Sequence, residues 1–598
     1  MGSRAPDAPR TPAPPPIAHE AGATPAPPDH GRRAWLEHAA APKPDLVAAH
    51  SPPPDSRMPS PSPSPSPSPA PTLAADKGGD EVADATAEAG APAPTPAAAK
   101  PYSAFPTSTR WLIALLGGVG GIFSPISSNI FVPSIPAIAR DFNRSNQDIT
   151  LALTVYLVFQ AFTPSLFGAA SDSFGRRPLF LLTMVIYIGA NLGLGFMPVS
   201  KYWLLLFLRA LQATGGSAVI AIGSGAVADI AEPKERGKFQ AIFQMGAMVG
   251  PAVGPLLGGV FAQAWGWRAM FYFLAAASGT FVVTFLFFFP ETLRSLVGDG
   301  SIPPPLLNAS PVQMYQRWKR TAEPELVDRP PRRPYQPLSA FTILFVPEIF
   351  LIYFVVSLLY LEFYCVIAIF STALEEKYHL NELQIGLCYL PSGIGTICST
   401  LAAGRLVDYY YGREVARVGG DYRAKPDTFG VERARTAVIW PGMSVFITAS
   451  VALGWCIQVK APLAALLVVS FFPGLGVAVI AVGVVYGQDV FPGKGAAASA
   501  SLNFVRCAFG AIGTGVIQIM YQNLGAGWSF VLLSGLCAAS LPLLLVVIRY
   551  APRWRAWRRH RALTNPSRWN LFLGIDPLDA RALRDKVARE GSATEGEK

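Results

Sequence analysis

Eleven residues, Gly168 to Pro178 (GAASDSFGRRP), sit in a short polar gap between two long apolar runs and combine an acid, two glycines and paired arginines. Gly168 lets helix backbones approach, Asp172 can brace or cap a neighbouring helix end, and Gly175 supplies the bend. Arg176 and Arg177 mark their side of the membrane as cytosolic through the excess of positive charge there. A second set spans 246–258, where Gly246, Gly250, Gly254 and Gly258 recur every fourth residue and form one stripe down a helix. Pro251 and Pro255 stand on the next stripe, where each deletes a backbone donor and bends the helix. The third set is polar residues inside apolar runs. Arg209 and Gln212 share a helix face ahead of Gly215 and Gly216, Glu362 is the one carboxylate deep inside a run, Asn503 and Arg506 are again three apart, and Asn129 opens NIFVPSIP. An arginine in mid-membrane costs at least about 2.5–3.5 kcal/mol on insertion scales, so it faces a polar cavity, meets a partner or snorkels to the boundary. A lone carboxyl in apolar surroundings can take up a proton near neutral pH, as a proton carrier must. Two arrangements of Glu362 and Arg506 are open: a fixed buried ion pair, or separate roles in which Arg506 receives an anionic substrate.

The elements that must position these residues are membrane helices. The chain has 598 residues, of which 51% are hydrophobic and 15% charged, and its mean hydropathy is +0.33 even with long polar tails included. An all-α integral membrane protein follows. Apolar runs of spanning length fall at about 110–133, 149–170, 178–198, 203–229, 236–262 and 267–289, then at 347–373, 383–407, 434–458, 462–488, 494–521 and 526–550. The expected organisation is a disordered Pro/Ser/Ala-rich tail over 1–105, a six-helix half over 106–290, a central loop over 291–346, a second six-helix half over 347–550 and a basic tail over 551–598. In the loop, Ser310-Pro311 reads as an N-cap with proline at N1, opening a short basic helix through Arg320; a terminal helix is expected from Asp576-Pro577.

The net charge of +10 does not point to nucleic acid, because the basic residues gather in alternate short loops and beside the last span. With both termini inside, the external gaps hold Arg140, Arg144, Lys201, Arg268, Lys377 and Lys460, a total that the internal gap between spans 8 and 9 matches alone. In that orientation the sequon at Asn308 is cytosolic and unmodified. The arginines and tryptophans of 549–561 suit anionic lipid at the inner interface. All six cysteines lie in apolar runs without metal-ligand spacing, so free thiols and no metal are expected. The opening Met-Gly-Ser-Arg is followed by prolines, which fits neither a cleavable signal nor myristoylation. The Ser-Pro run at 60–69 reads as a spacer or as a phosphorylated regulatory segment.

The halves echo each other. Gly404 and Asp408 repeat the spacing of Gly168 and Asp172, although the next glycine arrives one residue late at Gly412, beside Arg413, so this second copy is degraded. Asp229 in DIAEPK and Asp489 in DVFPGK form another pair, each ending an apolar run. Two matching six-span halves are the architecture of a transporter.

The Gly168–Pro178 loop resembles motif A of the major facilitator superfamily, R-x-x-Q-x-x-G-G at 209–216 resembles motif B, and the Gly246–Gly258 stripe resembles motif C of its drug:proton antiporters. QIGLCYLPSGIG (384–395) with the 503–506 stretch is similar to fungal quinidine-resistance-type multidrug exporters of the twelve-spanner family. The resemblance implies a monomeric, proton-driven exporter at the plasma membrane, or at a vacuolar or other internal one. It would carry drugs, secondary metabolites or weak organic acids, draw on the proton gradient and use no cofactor. It further implies a central cavity lined by Asn129, Arg209, Gln212, Glu362, Asn503 and Arg506, and a latch at the Asp172 loop that holds the inner gate in the outward-open state. PETLR at 290–294, where sugar porters show PESPR, disfavours sugar uptake. Carboxylate uptake or facilitated transport, and a non-transporting sensor on the same scaffold, are the alternatives. An enzyme is not expected, since no hydrolase or phosphate-binding motif appears in a usable context.

Overall fold

The computed structural model describes residues 103–231, 235–319, 335–419, 429–477, 479–491 and 495–564. The tail with its Ser-Pro run and the helix expected at Asp576 lie outside the described residues. Among the described residues every regular element is helical. The first half contains α1 (Thr107–Ile130), α2 (Asn146–Phe174), α3 (Arg176–Phe196), α4 (Tyr202–Ile230), α5 (Arg236–Trp265) and α6 (Arg268–Phe288). The second contains α7 (Pro347–Tyr378), α8 (Leu390–Val418), α9 (Ile439–Gln458) and α10, which is formed by Leu463–Gly476 and Val479–Val490. A continuous stretch, Gly495–Ser540, leaves helical geometry at Gly525 (φ 76°), which divides it into α11 (495–524) and α12 (526–540, continued by Pro542–Thr564). Ten helical stretches among the described residues are long and apolar enough to cross a membrane. The 62-residue stretch Ala497–Arg558 holds two crossings, and the 30-residue α5 completes twelve.

Local chemistry sets the helix starts. Ser145 and Asp148 form a capping box at α2, and Asn381 with Gln384 forms another before Glu382–Cys388, the turn leading into α8. In the central loop Gln313 N–H donates to Ser310 Oγ (3.2 Å) while Ser310 N–H donates to Gln313 Oε1 (3.1 Å), so the basic helix Pro311–Lys319 starts where expected.

The glycine stripe of α5 packs on α1. A Cβ at Gly246 would meet the carbonyl of Gly118, one at Gly250 would meet Pro125, and one at Gly258 would meet the carbonyl of Ile130. Such close approach is how helices associate in lipid, where apolar burial gives no net drive and dispersion contacts decide. The neighbouring stripe of α5 reaches the second half, with Gly259 against Gly386 and the carbonyl of Glu382.

Candidate functional site

The turn between α2 and α3 is held by a network of charges. Gly175 has φ 117°, and a Cβ there would run into the side chains of Asn308 and Glu291, so the position requires glycine. Arg176 turns back to Asp172 (2.5 Å), with Nε on Asp229 Oδ2 at the end of α4 (3.0 Å). The buried Glu291 of PETLR accepts from the backbone N–H groups of Arg176 (2.9 Å) and Arg177 (3.3 Å), capping the positive N-terminal end of α3. Asn308 donates from Nδ2 to Glu291 Oε2 (2.9 Å) and to the carbonyl of Phe174 (3.1 Å). Arg177 donates to the carbonyls of Leu286, Phe289 and Ala309. Gly168 approaches Ala221 of α4. Neither role shows in the local sequence, where Glu291 belongs to PETLR and Asn308 to a glycosylation sequon. Their strict buried pairing with a turn more than a hundred residues away has no local signature.

In the second half the sequence reading is corrected. Gly404, Asp408, Gly412 and Arg413 are all exposed on one uninterrupted helix, which runs past the expected end at 407 to Val418. Nothing lies within 4 Å of a Cβ at Gly404 or Gly412, so neither forms a close contact or a bend. The basic partner comes from after the loop: Arg435 donates from Nε to Asp489 Oδ2 (2.8 Å) and lies over the ring of Tyr411 (4.4 Å). The C-terminal basic segment is corrected in part as well. Arg555 and Arg558 turn inward and are buried, Arg555 on Glu432 (3.0 Å) and Arg558 on Glu348, whereas Arg553 and Trp557 stay exposed.

A cavity of about 220 Å³ lies between the halves, reaching from mid-membrane toward the face of the α2–α3 turn. Gln160, Ser224, Gln240, Thr400 and Ser499 place polar groups on a mainly apolar wall that includes Ile220, Phe363 and Val484. Asn503 and Arg506 both line it. Asn503 Nδ2 donates across the interface to the carbonyl of Gln160 (2.8 Å), and its Oδ1 accepts from Arg506 Nη2 (2.8 Å).

The other four expected cavity residues do not line it. Arg209 is fully buried inside the first half, with Nη1 on Gln212 Oε1 (2.6 Å) and its guanidinium between the rings of Phe131 (4.5 Å) and Tyr156 (4.6 Å). Gln212 passes the chain on to Asn191 Oδ1 (2.7 Å). Snorkelling is therefore not what this arginine does. Asn129 binds the carbonyl of Pro125 (2.7 Å) behind the α5 stripe. Glu362 turns away altogether: its Oε1 accepts from Ser534 on α12, Ser450 and Cys537 are its other polar neighbours, and Oε2 has no hydrogen-bond partner. The reason is helical pitch. Tyr360 and Tyr364 lie on the cavity with Phe363, and a residue two positions from each is rotated by about 200°. The ion pair of Glu362 with Arg506 is thus not formed.

At the opposite face the halves are closed. Arg140, in the short helix after α1, pairs with Glu375 and with Glu382 (3.1 Å) of the second half. Gln147 donates to the carbonyl of Gly515 (2.9 Å), and Thr154 meets Thr514 (2.9 Å). Asp141, the acid nearest α1, accepts from Trp267 Nε1 (2.7 Å) at this same end, away from the cavity.

Two six-helix halves enclosing a mid-membrane cavity, closed at one end, define a membrane transporter. The family model of the Major Facilitator Superfamily matches residues 117–420. The chain is 35% identical over 473 residues to the MFS-type transporter phiD of a fungal species (strain ATCC 74256), covering 76% of this chain and 70% of that protein. It is 32% identical to the multidrug transporter QDR2 of Candida glabrata, over 74% of this chain and 81% of the relative. Citrate exporter 1 of Aspergillus niger is 31% identical, over 77% and 90%. Among solved structures, the human organic anion transporter MFSD10 (TETRAN) matches 74% of this chain and 100% of its own at 19% identity, with a TM-score of 0.44. The chain belongs to the major facilitator superfamily and is a transporter rather than an enzyme.

Proposed function

We propose that the chain is a proton-coupled exporter of small amphipathic molecules, working by alternating access at the plasma membrane with both termini cytosolic. In this reading the face of Arg176 and Arg177 is cytosolic, and the cavity waits there for substrate while the Arg140 side is shut. A multidrug transporter and a citrate exporter among the relatives support export of drug-like or acidic molecules.

The observation that carries proton coupling is Glu362, a carboxyl buried in mid-membrane, with one oxygen on Ser534 and the other unpartnered, and with no salt bridge. A carboxylate so placed is expensive when ionised and comfortable when protonated, so it can load and release a proton as the second half repacks. Substrate and proton would then use different surfaces of α7, coupled by rotation or bending of that helix. Reconstituted protein with a pH gradient of either sign tests this. Uphill substrate movement should follow the proton gradient in exchange, and Glu362→Gln should leave downhill flux while abolishing the pH-driven component. Unchanged pH-driven flux in that variant would falsify the assignment.

A second reading, organic-anion uptake, is favoured by Arg506 on the cavity wall; the sign of the gradient that drives accumulation separates the two. The proposed partners are the substrate and the bilayer, with anionic lipid at the exposed part of the C-terminal segment, and the working unit is a monomer.

A further inference from the structure

Resting on the transporter reading above, we infer that the cavity selects anionic substrates: an amphipathic molecule whose carboxylate or equivalent acid group docks on Arg506, with its apolar body against α4, α8 and α10. Among the described residues Arg506 is the one charged residue lining the cavity, and none of their carboxylates lies within salt-bridge distance of it. Asn503 Oδ1 accepts from its Nε (3.2 Å) and Nη2 (2.8 Å), and the ring of Tyr360 lies 5.0 Å from the guanidinium carbon. Neither neighbour cancels the charge; both fix the fork. Cys507 is a further polar neighbour of the guanidinium, and the group borders the cavity.

The placement strengthens the point. Arg506 is eleven residues into α11, roughly 16 Å along the helix and so near mid-membrane. A cation there without a counter-ion is costly, and a ligand that supplies the anion removes that cost. A guanidinium matches a carboxylate through two parallel hydrogen bonds, which an ammonium ligand cannot make and would meet as a like charge. The acid that could have drawn a cationic drug, Glu362, is on the opposite side of α7. The remaining wall offers amide and hydroxyl groups, from Gln160, Gln240 and Thr400, beside Ile220, Phe363 and Val484. Such a wall accepts an apolar body with neutral polar substituents and carries no second positive charge for a multiply charged anion. A monoacid with an apolar tail is the fit.

The test is equilibrium binding of 4-phenylbutyrate and 4-phenylbutylamine to the purified full chain in nanodiscs, without any gradient. The expected result is that the carboxylate binds at least about tenfold more tightly than the amine. Arg506→Gln should lose that preference while keeping the parent's monodisperse elution and far-UV circular dichroism, which shows the variant is folded, and Arg506→Lys should retain part of it. Equal or tighter binding of the amine overturns the proposal. So does an unchanged carboxylate preference in Arg506→Gln, or the absence of saturable carboxylate binding. No gradient or direction enters this measurement. A preference that stands while pH-driven flux fails therefore sinks only the exporter reading, and the converse result sinks only this one.

Discussion

Arg435 Nε binds Asp489 Oδ2 at 2.8 Å, and the contact repeats atom for atom that of Arg176 Nε with Asp229 Oδ2 at 3.0 Å in the other half. The partners are 54 and 53 residues apart. Each arginine pins the end of the fourth helix of its half to the start of the third, so both halves are braced in the same way on the same face. The ion pairs described on that face stay within one half, whereas Arg140 joins the two halves at the other. This asymmetry is what a cavity open toward one side requires.

Exchanging the charges of the second brace should reveal it. Arg435→Gln takes the charged partner from a partly buried carboxylate and is expected to cost about 1–3 kcal/mol, read as a lower midpoint of thermal inactivation. The double variant Arg435→Asp with Asp489→Arg should recover part of that loss and of the flux. No recovery in the double variant would mean that the two residues act separately.

Alanine substitutions distinguish the true turn from its degraded copy. Gly175→Ala faces both a positive φ and the Asn308 side chain, and is expected to destabilise by about 1–3 kcal/mol. Gly412→Ala is in open space inside a helix and should be neutral or stabilise by up to about 1 kcal/mol. Equal effects in a melting series would undo the distinction.

The α1–α5 contact allows no added atom. Gly250→Ala should lower stability and slow flux, by about 1–3 kcal/mol for the overpacking, while Gly279→Ala, with nothing near its Cβ, should do neither. Parallel expression and melting of the two variants measures this.

The closed end is a gate only if it opens. Arg140→Cys with Glu382→Cys, bridged by a bifunctional thiol reagent, should arrest flux, and a cleavable reagent should restore it on reduction. The parent chain treated alike controls for its own thiols, including the exposed Cys398. Full flux through the cross-linked protein would exclude this end as a moving gate.

Much of the fold was legible in the sequence, for physical reasons. Bilayer thickness fixes the length of an apolar run, so twelve crossings could be counted, and the four-residue period of Gly246–Gly258 fixes a packing face whatever it packs against. The need for glycine at Gly175 was readable because a bend between two spans leaves few alternatives. What only the tertiary structure decided was which way each polar side chain turns and what it meets. Helical pitch set Glu362 opposite Arg506, though both lie in mid-span, and the fold enclosed Arg209 within one half instead of on the cavity. Arg435, which follows the loop after α8, became the partner of Asp489, while Arg413 stays exposed on a helix that runs on without a turn. Glu291 and Asn308 serve a turn far away in the chain. Spacing along one helix is a local property, whereas pairing across helices depends on rotations and offsets that the packing of all twelve determines together.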